Sequence, residues 1–247
     1  LWYKKYYSVA GNIENINENL SNYHVISDSN YVYNSIYMNT TTQVITSNPD
    51  TLIIDSLEAY PFFLIMKNKN DDGSNIWSLP IYLTGNITNT YLNKMILQDG
   101  NIYLTIMTSS NLKINSISYG SSIANNIFII KIDTNGIIKW VREFVLNNLD
   151  VATDIQYYNG NYGEYLFVTG YYYHDTTLGN YELNCNGTGS WIAKLNVESG
   201  YIESIIHKTS TDTLKIKSCN VIEDSLYIGG EFIGSAYFSG TNQNDLI

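Results

Sequence analysis

The phrase Lys131-Ile132-Asp133-Thr134-Asn135-Gly136-Ile137-Ile138-Lys139-Trp140 returns along this chain. Residues 194–204 (KLNVESGYIES) restate it, and residues 67–77 (KNKNDDGSNIW) restate it with one extra residue. The turn glycines Gly73, Gly136 and Gly200 stand 63 and 64 residues apart, and the lysines Lys67, Lys131 and Lys194 stand 64 and 63 apart. Several columns sharing one long period define an array of repeated β units rather than one irregular core. The repeat constrains architecture strongly and chemistry hardly at all.

Each period holds four strand-like runs. In the third, 151–158 alternates as a strand, Asn159-Gly160-Asn161 turns, and 164–173 (EYLFVTGYYY) is a β-branched and aromatic run. A polar loop around 184–189 follows, then 191–195 (WIAKL), a turn at Ser199-Gly200, and a fourth run at 201–207. The second period repeats the plan at 93–97, 101–107, 128–132 and 137–144, and the first at 23–27, 31–38, 64–67 and 76–81, with a long insertion at 40–59. The fourth shows only two runs, 217–222 and 226–232, before Asp245-Leu246-Ile247. Leu1-Trp2-Tyr3-Lys4-Lys5 reads as a fourth run, with Trp2 in the column of Trp77 and Trp140. Asn135-Gly136 between two strands predicts a two-residue type I′ hairpin, which needs positive φ at both residues.

Composition agrees. Only 15% of residues are charged, too few for the polar faces of long surface helices. Tyr and Ile are abundant and suit a pleated surface. The net charge is −10, and Arg142 is the sole arginine, so no basic footprint for nucleic acid exists. No apolar run reaches the length of a membrane-spanning helix, so no membrane insertion is expected. The frequent Asn, Ile and Tyr have AT-rich codons, which points to an AT-rich genome, as of a large DNA virus of protists or an AT-rich microbe.

These observations predict an all-β fold: a β-propeller of four-stranded antiparallel blades of about 60–70 residues. The blades fall at 12–83, 84–146, 147–209 and 210–247, with 1–11 completing a blade. The chain reads as a segment of a larger propeller. A four-bladed ring, closed by Leu1-Trp2 supplying a strand to the last repeat, is the competing arrangement, and a β-sandwich is the rival fold.

The run FIIKIDTNGIIKW (128–140) resembles the bacterial-type seven-bladed β-propeller repeat, as do YLFVTGYYY (165–173) and, more weakly, LYIGGEF (226–232). The resemblance spans nearly the whole chain. It departs at 67–77, which gain a residue, and at Glu203-Ser204, where Trp belongs. It implies surface, secreted or structural proteins, and fold rather than activity. The phrase also resembles the tryptophan-docking repeats of quinone-dependent dehydrogenase propellers. That family carries an adjacent cysteine pair, which this chain lacks.

Candidate sites are few. Tyr171-Tyr172-Tyr173-His174, followed by Asp175, is the densest aromatic cluster, readable as a glycan- or peptide-binding patch or as a strand end with alternate tyrosines in an inter-blade core. The loops 70–73 and 133–136 have calcium-like oxygens, which hairpin turns also demand. His24, His174 and His207 show no ligand spacing, and Cys185 and Cys219 form no motif. Asn19, Asn39, Asn86 and Asn186 match the glycosylation acceptor pattern. No catalytic, cofactor-binding or metal-ligating residue is assigned, and no cofactor. The expected function is a non-enzymatic structural or interaction module in a virion or surface assembly, binding other protein subunits. Alternatives are a carbohydrate-binding lectin-like propeller and a propeller hydrolase or quinone enzyme.

Overall fold

The computed structural model describes residues 7–8, 24–38, 44–45, 51–52, 60–85, 87, 89–120, 125–146, 150–185, 187–210, 212–233 and 236–237. The segments 1–5 and 245–247 and the acceptor asparagines Asn19, Asn39, Asn86 and Asn186 lie outside the described residues. Among the described residues every regular element is a strand. After β1 (Tyr7–Ser8), the first repeat contains β2 (His24–Ser27), β3 (Tyr31–Met38), β4 (Val44–Ile45), β5 (Thr51–Leu52), β6 (Phe62–Lys69) and β7 (Asn75–Thr84). The second contains β8 (Tyr91–Gln98), β9 (Asn101–Thr108), β10 (Asn111–Ile114), β11 (Ile117–Tyr119), β12 (Asn125–Asp133) and β13 (Ile138–Leu146). The third contains β14 (Val151–Gly160), β15 (Gly163–Tyr172), β16 (Thr176–Leu178), β17 (Tyr181–Leu183), β18 (Thr188–Asn196) and β19 (Ile202–Ser210). The fourth contains β20 (Thr213–Ile222), β21 (Ser225–Ile233) and β22 (Ala236–Tyr237).

The first three repeats each fold the same antiparallel meander: β2-β3-β6-β7, β8-β9-β12-β13 and β14-β15-β18-β19. In each, the second strand meets the third in the same register, pairing Tyr33 with Lys67, Tyr103 with Lys131 and Phe167 with Lys194. The third strands read as continuous apolar runs because both their faces are covered. In β12, Phe128, Ile130 and Ile132 enter one core, with Leu104 and Ile65, while Ile127 and Ile129 enter another, with Ile155 and Val168. The cores therefore lie between successive sheets, so each sheet is stabilised by its neighbours. The first strands run beside one another in chain order, β2 against β8, β8 against β14 and β14 against β20.

The hairpin joining third to fourth strand differs from the type I′ expectation. Gly136 has φ +84, but Asn135 does not take positive φ. The register slips once, after Lys67, Lys131 and Lys194 respectively, so each hairpin carries a bulge and a longer loop with one left-handed glycine. The Asp133 carboxylate explains the choice in the second repeat. It accepts the Asn135 and Ile137 amides, both at 2.9 Å, and so fixes a non-primed turn before the glycine.

A second repeated device links consecutive sheets. The chain between second and third strand makes a short excursion that visits the fourth strand of the preceding repeat. β10 pairs with β7 (Tyr82 to Lys113, Leu83 to Leu112), and β22 pairs with β19 (Thr209 to Tyr237, Ser210 to Ala236). β4 pairs with β1 in the same relative register (Tyr7 to Ile45, Ser8 to Val44). The β16–β17 hairpin lies against β13 without a ladder. Three outer edges are thus capped by the next repeat's excursion, which also blunts edges that would otherwise template foreign strands.

Candidate interaction surface

The repeated lysine and tryptophan columns carry the contacts between repeats. Lys67 Nζ and Trp77 Nε1 both donate to the Thr134 carbonyl, at 2.9 and 3.0 Å. One repeat on, Lys131 Nζ and Trp140 Nε1 both donate to the Val197 carbonyl, at 3.2 and 3.0 Å. Lys131 also pairs with Glu198 at 2.8 Å. Each tryptophan rests on the turn glycine of the following repeat. A Cβ added at Gly136 would stand 3.0 Å from the Trp77 ring, and one at Gly200 would stand 2.8 Å from the Trp140 ring. The glycine and tryptophan columns are therefore two halves of one joint, a link the sequence reading counted without connecting. Trp2 lies outside the described residues.

The first strands add a third repeated bond at a shared bulge, after Leu92, Ala152 and Ile216. The bulged Asn93 donates its Nδ2 to the Ala152 carbonyl, and the bulged Thr153 donates its hydroxyl to the Ile216 carbonyl at 3.0 Å. His24 Nε2 lies 2.8 Å from the equivalent Leu92 carbonyl. Next to this bulge the buried Asp154 accepts the Cys219 amide at 3.0 Å and meets Lys94 at 3.4 Å. Further along, Tyr157 donates to Asp99 and Tyr158 to Asp224, both at 2.7 Å.

The aromatic run 171–174 divides by alternation along β15. Tyr172 is fully buried, its ring against Gly189 and its hydroxyl 3.1 Å from His207 Nδ1. Burial, assisted by neighbouring Lys208, lowers the His207 pKa and favours the neutral ring there. Tyr171 and Tyr173 are half-buried and meet edge to face at 5.8 Å, and His174 is exposed. Lys215 sits 5.4 Å from the Tyr171 ring centre and 5.1 Å from that of Tyr173, while Lys217 sits 4.8 Å from Tyr171 and 3.7 Å from Glu231. The tyrosine faces are thus already occupied by ammonium groups of β20, a cation–π clasp between the third and fourth repeats. Lys215, Lys217 and Glu231 were not singled out from sequence. The available signal was the alternation Lys215-Ile216-Lys217, two cations flanking a core residue on one strand.

The oxygen-rich loops are engaged by their own turns. Besides the two amides, Asp133 holds Lys139 at 2.8 Å. Burial alone would raise the Asp133 pKa, but the hydrogen bonds from Lys139 and the turn amides outweigh it and hold it low. Asp72 accepts the Ser74 amide at 2.7 Å. Among the described residues no three His, Cys, Asp or Glu side chains converge. Cys185 and Cys219 are both free thiols, and burial pushes Cys219 up to about 12. A scan against protein-family models and a search of curated proteins return no match to this chain.

Proposed function

We propose that this chain is part of a β-propeller serving as a non-enzymatic structural and interaction module of a larger assembly, binding other protein subunits. The observation that carries the reading is the repeated joint: Lys67 with Trp77, and Lys131 with Trp140, each pair gripping one carbonyl of the following repeat. Matching bonds at matching register, and first strands side by side in chain order, support sheets arranged around an axis. The four-stranded meanders then act as blades. The AT-rich codon signature and a surface of Asn, Ser, Thr and Tyr favour a virion or surface assembly.

Electron microscopy of the native particle, with mass spectrometry of the intact polypeptide, tests the reading. Spoked, ring-shaped density containing these peptides is the expected result. Two flat face-to-face sheets would overturn it. A glycan-binding role keeps one favourable observation, the exposed His174 beside half-buried Tyr173. Its test is a glycan array, with loss of signal in the Tyr173→Ala variant.

A further inference from the structure

The tyrosine column on the second strands is satisfied in the first repeat and orphaned in the second. Tyr33 and Tyr103 occupy equivalent places, each opposite the lysine of its repeat. Tyr33 gives its hydroxyl to Asp28 at 3.2 Å. Where Asp28 precedes Tyr33, Gln98 precedes Tyr103, and its amide turns to Asp99 at 3.3 Å. Tyr103 is fully buried and its hydroxyl meets no partner. The third repeat carries Phe167 at the same place, so the fold asks here for a ring and not for a hydroxyl. A buried hydroxyl without a partner costs stability, and such groups in folded proteins are those that a water, an ion or a ligand completes.

The surroundings of that hydroxyl are acidic. Tyr103 lies between the second and third sheets, with the Tyr157 ring 6.0 Å away. The Tyr157 hydroxyl has one proton and gives it to Asp99 at 2.7 Å, although Glu164 reaches the same oxygen. Glu198 approaches from the β18–β19 turn, bonded to Lys131 at 2.8 Å and with its side chain 83% exposed. Lys131 thus serves Glu198, and Asp99 and Glu164 are left sharing one phenolic proton. Burial, then the charges of Glu198, Asp99 and Glu164, raise the Tyr103 pKa, so its proton stays in place.

We propose that this groove between the second and third sheets receives an arginine side chain of a partner protein. The planar guanidinium has donors enough for carboxylates on separate hairpins, which the point charge of an ammonium serves less well. One N–H goes to the Tyr103 oxygen, which accepts, and others go to Asp99 and Glu164. The Tyr157 ring offers a face for stacking. A metal ion suits the groove less, because among the described residues no three carboxylates converge on one point. Asp99, Glu164 and Glu198 are exposed, so the guanidinium meets them first and seats against the Tyr103 hydroxyl as these side chains turn to it. The net charge of −10 speeds the encounter with a cationic partner. The inference rests on the interaction-module reading above and names the partner chemistry of one groove.

The test titrates N-acetyl-arginine methylamide into the intact chain at fixed ionic strength, with isotopically labelled tyrosine rings read by NMR. Saturable shifts of Tyr103 and Tyr157, at roughly millimolar affinity, are expected. The uncharged citrulline analogue should leave both signals in place, and the lysine analogue should bind about fivefold more weakly. Tyr103→Phe separates a ligand role from a structural one. It should melt at the same temperature or higher, because the hydroxyl has no internal partner, and bind the arginine probe about fivefold more weakly. Glu164→Gln, at an exposed position, should weaken binding by a similar factor. No saturable shift, shifts confined to other tyrosines, or an equal response to the citrulline or lysine analogue overturns the proposal. So does calcium chloride moving the same signals at lower concentration than arginine, or a lower melting temperature for Tyr103→Phe, which would give the hydroxyl an internal role. None of these outcomes touches the propeller reading, which stands or falls on the particle's density.

Discussion

A single tryptophan in this chain joins two repeats, and its environment sets what its loss costs. Trp140 is 7% exposed, bonded to the Val197 carbonyl and seated on Gly200, whose φ is +70. Trp140→Ala should cost about 3–5 kcal/mol, read from urea unfolding. Trp77→Ala should cost less, because Trp77 is only half-buried. Gly200→Ala should also destabilise, since the new methyl meets both a left-handed backbone and the indole. Equal, small effects from both tryptophan variants would contradict the joint. The histidines make a second residue-scale prediction. Burial lowers the His24 pKa despite its backbone hydrogen bond, with Lys94 adding to the effect, and burial with Lys208 lowers that of His207. The unfolded chain then binds more protons than the folded one below the ordinary histidine value of 6.5. Stability is full above that value and falls as pH drops through it. Thermal unfolding at stepped pH should show the loss, and His24→Gln with His207→Gln should flatten it.

At the scale of elements, strand positions were legible because alternation, turn glycines and the lysine column coincide, as around Lys131 and Gly136. The hairpin type was not, because Asn-Gly is compatible with positive φ at both residues and only the Asp133 carboxylate, through bonds to two amides, selects the bulged form. The capping excursions were also invisible. Residues 111–119 carry no strand in the sequence analysis, and their role appears only when β10 is seen against β7 of the preceding repeat. The aromatic cluster was half legible. Alternation sends Tyr172 inward, but the lysines covering Tyr171 come from a strand more than forty residues later. The excursion is open to test. Lys113→Pro removes a donor from the strand between β7 and β11, while its side chain lies outside the main cores. Stability should fall by about 1–2 kcal/mol. The amides of Tyr82 and Thr84 should lose protection against exchange while β12 keeps its own. Unchanged exchange in β7 would show that the excursion rests on the edge without holding it.

Across the whole molecule, stability should follow the order of the sheets. Each repeat is covered by its neighbours, so the best-protected strands are those with a complete sheet on both sides. β12 meets this condition, with cores on both faces. The cover of β20 is one-sided: Leu214, Ile216 and Cys219 are buried toward the third repeat, and most of β21 is exposed. Local opening draws on elements with few buried apolar contacts. Native-state hydrogen exchange in low urea should therefore rank β21 first to open, then β20, with β9, β12 and β18 exchanging only near global unfolding. The clasp of Lys215 and Lys217 on Tyr171 is a partly exposed contact and should delay β20 only slightly. The Cys219 thiol gives an independent readout. Burial suppresses its thiolate, so it reacts only when β20 lifts from Asp154 and Thr169. Alkylation of Cys219 should then track exchange of the β20 amides across the urea series, ahead of the loss of Trp140 fluorescence. If instead all three signals move together at one midpoint, the repeats unfold as one cooperative unit, and the bonds from Thr153 to Ile216 and from Cys219 to Asp154 are strong enough to bind the fourth repeat to the rest.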